Sequence, residues 1–181
     1  MKINGKKLTA AAKAKGLSVE QLAEAVERTG LSGKRAISAV GNWMRDSDHP
    51  RCKREDITAL ATALGCQVAD IATFTCIFKY HKGSPRKAKL IVDLIRGKDY
   101  LVAENLLTFT TKRAAVDVKK ALLAARADAE QAEADVTKLY VSWSTASDAP
   151  RMKRFQPKDR GRAHPIIVRS THITIGLEER N

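Results

Sequence analysis

Apolar positions in the first part of the chain recur at helical spacing, in short runs broken by Gly, Ser and Pro between Leu8 and Phe74. Ser18, with Gln21 three residues on, has the pattern of a capping box and opens a predicted helix carrying Leu22, Ala23 and Val26. A second helix is predicted to end in VGNWMRD (Val40 to Asp46). Ile57, Leu60, Ala61 and Leu64 form a third amphipathic stripe, closed by Gly65. Cys66 to Phe74 have room for one more short turn.

From Thr75 the grammar changes. TCIFKY (Thr75 to Tyr80) reads as a strand. Ser84 and Pro85 then supply an N-cap followed by proline at the first helical position. Ala88, Ile91, Val92 and Ile95 follow at helical spacing until Gly97. Asp99 is placed to cap a short helix carrying Val102, Ala103, Leu106 and Leu107. Thr111 is placed to open a third, with Ala115, Val118, Leu122 and Ala125 on one face and Arg113, Asp117 and Lys120 on a solvated one. Beyond Lys138 the period becomes two: Leu139, Val141 and Trp143 alternate with polar neighbours, as do Ile173, Ile175 and Leu177. The pattern predicts an α+β fold. A small all-α domain over residues 1–74 precedes a domain over 75–181, with three helices on a small antiparallel sheet and a long β-hairpin spanning about 144–172.

One stretch breaks the alternation. Pro150 to Arg169 reads PRMKRFQPKDRGRAHPIIVR, with seven basic residues and one acidic. Pro157 to Gly161 suits a turn, and the flanks suit extended arms. From Thr145 to Gln156, at about 3.4 Å per residue, such an arm reaches roughly 35–40 Å. Its basic residues fall on both faces, leaving no hydrophobic side to bury, and an isolated two-stranded ribbon is marginal in water. The arm is therefore either a flexible basic loop or a segment ordered by something rich in phosphate.

Charge favours the second reading. Lys and Arg number 33 against 20 Asp and Glu, a net of +13. Residues 1–74 carry +4 of this and the remainder +9. Such a surplus repels itself unless a polyanion neutralises it, which points to nucleic acid or an anionic membrane surface. No apolar span of about 18 residues exists to cross a membrane, and the start of the chain has no signal-peptide pattern. The three cysteines form no C-x-x-C pair, as expected of core thiols in a reducing cytoplasm. No Gly-rich phosphate loop, nucleophile elbow or spaced carboxylate pair suggests an enzyme. His164 and His172 have no second ligand at metal spacing, so no metal and no cofactor are expected.

Four blocks carry a resemblance: SPRKAKLIVDLIRGK (Ser84 to Lys98), KRAAVDVKKALLAARADAE (Lys112 to Glu130), RMKRFQPKDRGRA (Arg151 to Ala163) and RSTHITIGLEE (Arg169 to Glu179). In order and spacing, over about Thr75 to Glu179, they resemble the bacterial large-subunit ribosomal protein twenty-two family. The resemblance implies a cytoplasmic, ribosome-bound α/β domain on large-subunit ribosomal RNA, beside neighbouring ribosomal proteins. It also implies a hairpin that penetrates the RNA and helps line the nascent-peptide exit tunnel. By position, Met152, Lys153 and Arg154 fall where that hairpin approaches the tunnel constriction, and Lys158, Arg160 and Arg162 fall near its tip. Arg151 and Arg169 flank these as further RNA-binding positions. Arg86, Lys87 and Lys89 match the family's basic first-helix positions, and His172 its Ser/Thr-His-Ile ending. Gln156 and Asp159 depart from the family's pattern near the tip.

The first seventy-odd residues lie outside that family's usual extent. LSVEQLAEAV (Leu17 to Val26), VGNWMRDSDHP (Val40 to Pro50) and ITALATALGCQVADI (Ile57 to Ile71) resemble the blocks of a repressor-type, Cro/C1-like helix-turn-helix domain. In that fold the second motif helix turns its polar face to the DNA major groove; here the face offers Lys34, Arg35, Ser38 and Asn42. Thirteen residues separate Val26 from Val40, against about six in the usual motif. Three roles compete for this segment: an added anchor on ribosomal RNA, a contact to a ribosome-associated protein, or DNA binding. For the whole chain the rival to the ribosomal reading is a transcriptional regulator acting off the ribosome.

Overall fold

A computed structural model of the protein describes residues 1–26, 28 and 31–180. The chain forms two compact units. The first joins residues 1–74 to 128–136 and 178–180, and the second comprises Thr75–Ala127 and Thr137–Leu177. Glu27, Thr29 and Gly30, part of the thirteen-residue connection noted above, lie outside the described residues.

In the first unit, β1 (Lys2–Ile3) leads into α1 (Gly5–Lys15), α2 (Val19–Ala25), α3 (Lys34–Met44), α4 (Arg54–Leu64) and α5 (Val68–Ile71). Helix starts follow local chemistry. The Asn4 side chain accepts from the Lys6 and Lys7 amides, and the Ser18–Gln21 capping box forms in both directions. Leu8, Leu22, Trp43, Ile57 and Leu60 are all 0% exposed, and α3 packs on α1 and α2. Each such side chain stabilises by about 1.5–3 kcal/mol through burial. Trp43 also donates its indole N–H to the Pro50 carbonyl at 2.7 Å. Gly5 sits where a Cβ would stand 2.5 Å from the Trp43 carbonyl oxygen, so the start of α1 touches the end of α3 backbone to backbone. Beside this core Cys52 is buried, and burial, with Asp56 and Asp48 nearby, pushes its thiol up to about 12. It is a packed thiol with almost no thiolate at neutral pH.

The expected all-α domain needs correction. β1 pairs antiparallel with β2 (Ala72–Lys82), Lys2 opposite Thr73 and Ile3 opposite Ala72. The strand predicted at Thr75 thus begins three residues earlier, because Ala72, Thr73 and Phe74 are buried in the first unit and gain a pairing partner there. Two later segments complete this unit. The Arg54 guanidinium donates to the side chain and carbonyl of Gln131. The Thr73 hydroxyl donates to buried Glu178 at 3.1 Å, and the Lys7 ammonium donates to the Glu179 carbonyl at 2.9 Å.

In the second unit β2 is followed by α6 (Pro85–Ile95), α7 (Tyr100–Phe109), α8 (Arg113–Glu130), β3 (Leu139–Pro157) and β4 (Ala163–Glu179), with the strands ordered β2-β4-β3. This is the mixed α+β architecture the pattern predicts. The inward faces of α6 and α8 are the expected ones: Ala88, Ile91, Val92, Ile95, Ala115, Val118, Leu122 and Ala125 are buried. The α7 face holds in part: Ala103 and Leu107 are buried as expected, but Val102 is 46% exposed and Tyr100 is buried instead, because apolar residues lie on more than one face of this short helix. α8 starts at Arg113 rather than Thr111. Asp117, expected on a solvated face, is half-buried and bonds the ring of buried His81 at 2.6 Å. Gly176 of β4 lies under Trp143 of β3, where a Cβ would stand 2.2 Å from the indole nitrogen.

Candidate nucleic-acid interface

β3 and β4 outrun the rest of the sheet. Burial ends at Ala149 on one strand and Ser170 on the other, and between them every residue from Pro150 to Arg169 is exposed except half-buried His164. The free arm therefore starts at Pro150, not near Thr145. Ser144, at 0% exposure, and the buried pair Ser170 and Thr171 are its foot rather than part of it. At about 3.3 Å per residue, the eight residues 150–157 span roughly 26 Å.

The foot is pinned by side chains from neighbouring elements. Arg96, at the end of α6, donates to the Ser144 carbonyl, and the Ser144 hydroxyl donates to the Val92 carbonyl at 2.9 Å. On the other strand the Thr171 hydroxyl donates to the Gly83 carbonyl at 3.0 Å, and the His172 ring accepts from the Tyr80 amide at 3.2 Å. The Tyr80 ring also lies edge-on to that of His172, 4.9 Å between centroids. His172 thus helps to hold the foot of the arm. A ribbon that would wander alone is aimed by two anchored strands.

At the tip the Lys158 amide donates to the Arg162 carbonyl at 2.6 Å, and Arg160 and Gly161 both take left-handed backbone (φ 54° and 70°). This is the turn expected over Pro157 to Gly161. The structure places Arg151, Lys153, Arg154, Lys158, Arg160, Arg162 and Arg169 along this exposed ribbon, facing solvent. Asp148 lies 4.0 Å from Arg151 in an exposed pair, which contributes little in water. Met152 is 37% exposed, its sulfur 3.8 Å from the Arg154 guanidinium. The sequence reading missed the arm's apolar side chains: Phe155 and Ile167 are 76% and 55% exposed, surfaces able to pack on bases or a polypeptide once ordered. Their signal was present in the sequence but hidden among the charges. The arrangement offers exposed cations for phosphates and flat or branched apolar groups for unstacked bases.

Arg86, Lys87 and Lys89 are also exposed, Arg86 opposite the buried stripe of α6 and the two lysines on its flanks. In the first unit Lys34, Arg35 and Ser38 fall on the exposed face of α3, because Ala36, Ala39, Val40 and Trp43 take the inner one. Asn42 joins them only in part. Its amide donates to the His49 carbonyl at 2.9 Å, so it is already engaged in holding the chain beyond α3. Among the described residues no group of three or more His, Cys, Asp or Glu could hold a metal ion, and no helix is long and apolar enough to cross a membrane.

Residues 76–178 match the family model for ribosomal protein L22p/L17e. The large ribosomal subunit protein uL22 of Clostridium acetobutylicum is 46% identical over 106 residues, which cover 58% of this chain and 96% of that protein. The uL22 protein of Clostridium novyi is 43% identical over 105 residues, covering 58% and 95% respectively. The match runs through the pinned foot, the basic arm and the α6 face alike, and the chain belongs to the ribosomal protein L22p/L17e family.

Proposed function

We propose that this chain, a structural and non-enzymatic constituent of the large ribosomal subunit, binds large-subunit ribosomal RNA through its basic arm and the exposed face of α6. It acts on the ribosome, in the cytoplasm, among neighbouring large-subunit proteins. The observation that carries the reading is the arm itself: twenty residues, 150–169, with seven cations and one acid, exposed on both faces and anchored only at the foot. Asp159 within the arm and the exposed Asp148 beside Arg151 offset little of that charge, whereas folded RNA brings phosphates to both sides of an inserted ribbon. Binding of the full chain to large-subunit ribosomal RNA over a salt series tests this, with a steep loss of affinity expected as salt rises.

The same reading places Met152, Lys153 and Arg154 at the wall of the nascent-peptide exit tunnel. Deleting Met152–Arg154 is expected to change sensitivity to tunnel-binding antibiotics while the folded core keeps its melting temperature, since the deleted residues are exposed. Unchanged sensitivity in ribosomes that carry the variant would remove the tunnel role.

For the first unit we read α2 and α3 as a helix-turn-helix-like pair that touches nucleic-acid phosphates without reading bases. Lys34, Arg35 and Ser38 supply the face, and the engagement of Asn42 with His49 favours positioning over base readout. Lys34→Gln with Arg35→Gln in the full chain is expected to weaken ribosomal RNA binding several-fold. Duplex DNAs of different sequence are expected to compete equally. One DNA sequence bound at least roughly a thousandfold more tightly than the others would instead establish a sequence-specific regulator.

A further inference from the structure

The second unit holds a cavity of whose lining the functional reading uses only Lys87. Three stretches of chain meet around it: the segment from His81 to Ser84, the flank of α6 where exposed Lys87 and Leu90 adjoin buried Ile91, and the start of α8 with the residues before it, Thr111 to Ala114. Its volume is about 560 Å³. Two kinds of surface line it. Leu90, Ile91 and Ala114 make an apolar floor, and Leu90 is 70% exposed in spite of being a leucine. Lys82, Lys87, Lys112 and Arg113 make the rim, and among the described residues the lining holds no carboxylate, Asp117 lying behind His81. The imidazole of His81, 4% exposed, completes the wall and is held in orientation by Asp117 at 2.6 Å. A fixed ring, an apolar floor and four cations are a specific combination.

From this we propose that the cavity receives one unpaired nucleotide of ribosomal RNA, its base on the apolar floor and its phosphates on the cationic rim. The proposal rests on the ribosomal RNA reading above and adds a single-nucleotide subsite to it. The chemistry narrows the occupant. A phosphate alone would leave the leucine floor wet, and an apolar peptide would leave four cations without partners. A duplex keeps its bases stacked and has no free base face to set on the floor. An extruded nucleotide has a flat, weakly polar base at one end and negative charge at the other, which matches floor and rim together. Such a subsite would fix the register of the protein on its RNA at a point where the phosphate contacts of the arm carry no sequence information.

The test uses the full chain with transcribed large-subunit ribosomal RNA and base-face chemical probing. With the unaltered protein, one unpaired base is expected to lose reactivity. In Leu90→Ser, a change at an exposed position that leaves the fold and the net charge alone, that base regains reactivity. Affinity falls roughly tenfold, the scale of losing one buried base contact, with the salt dependence unchanged. In assembled subunits, a photo-cross-linker on Leu90→Cys is expected to capture ribosomal RNA. If the protein binds RNA with no base protected, or with protection that persists in Leu90→Ser, or if the cross-linker captures a polypeptide, the cavity proposal is overturned and the RNA-binding reading stands. No RNA binding by the unaltered chain would overturn both.

Discussion

Replacing Lys153, Arg154, Arg160 and Arg162 together by Gln is expected to weaken binding to large-subunit ribosomal RNA by about 100-fold at low salt, since contacts to charged groups each contribute about 1.5–3 kcal/mol before compensation by water and neighbouring cations. The salt dependence is the sharper readout. On DNA each lost phosphate contact removes roughly 0.7–0.9 from the slope of log affinity against log salt, and on folded RNA the four losses should flatten it in the same direction. All four side chains are exposed and bond to no buried group, so the stability of the fold should stay within about 0.5 kcal/mol. A binding curve with the unaltered slope would mean that these cations contact no phosphates. A melting transition lowered along with the affinity would mean that the arm belongs to the core.

The largest expected stability effect is in the first unit. Trp43→Ala removes a fully buried indole from the contact of α1, α2 and α3 and leaves the Pro50 carbonyl without its 2.7 Å donor. Truncating a buried Trp costs about 3–5 kcal/mol, a large share of the about 5–15 kcal/mol that holds a typical domain together. Amide hydrogen exchange should report it locally, with the protection of α3 and α4 falling by two to three orders of magnitude, roughly as 1.4 kcal/mol per factor of ten requires. Unchanged protection in those helices would show that Trp43 fills a site able to collapse around the loss.

Sequence pattern gave the second unit's elements because their signals are local and redundant. Ser84–Pro85 starts α6, alternation marks β3 and β4, and i, i+3, i+4 stripes mark α6 and α8. Where signals depend on distant partners they failed. α1 has an alanine-rich sequence with few apolar anchors, and its placement depends on the Gly5 approach to Trp43 and Met44, some forty residues on. The start of β2 depends on pairing with Lys2 and Ile3, and Asp117 is drawn in by His81 from another element. The interface divides the same way. Its cations were legible as a charge run and are exposed on one ribbon. The length of the free arm was overestimated because nothing in the sequence after Trp143 marks Ser144 as a residue that α6 holds down through the Val92 carbonyl. Asn42 looked free on α3 until the chain returned at His49 to accept its amide.

The completeness of the first unit also bears on how it is studied. Gln131, Glu178 and Glu179 all bond residues of the first seventy-four, so a fragment ending at Phe74 would lack those partners. Work on the α3 face therefore belongs in the full chain.

The most direct measurement is sedimentation of ribosomal subunits from cells producing the chain, followed by a moderate salt wash and quantitation against other large-subunit proteins. Near-stoichiometric retention in the large-subunit fraction is the result expected of a structural constituent anchored by its arm. Recovery mainly in the soluble fraction, or with chromosomal DNA, would contradict the account.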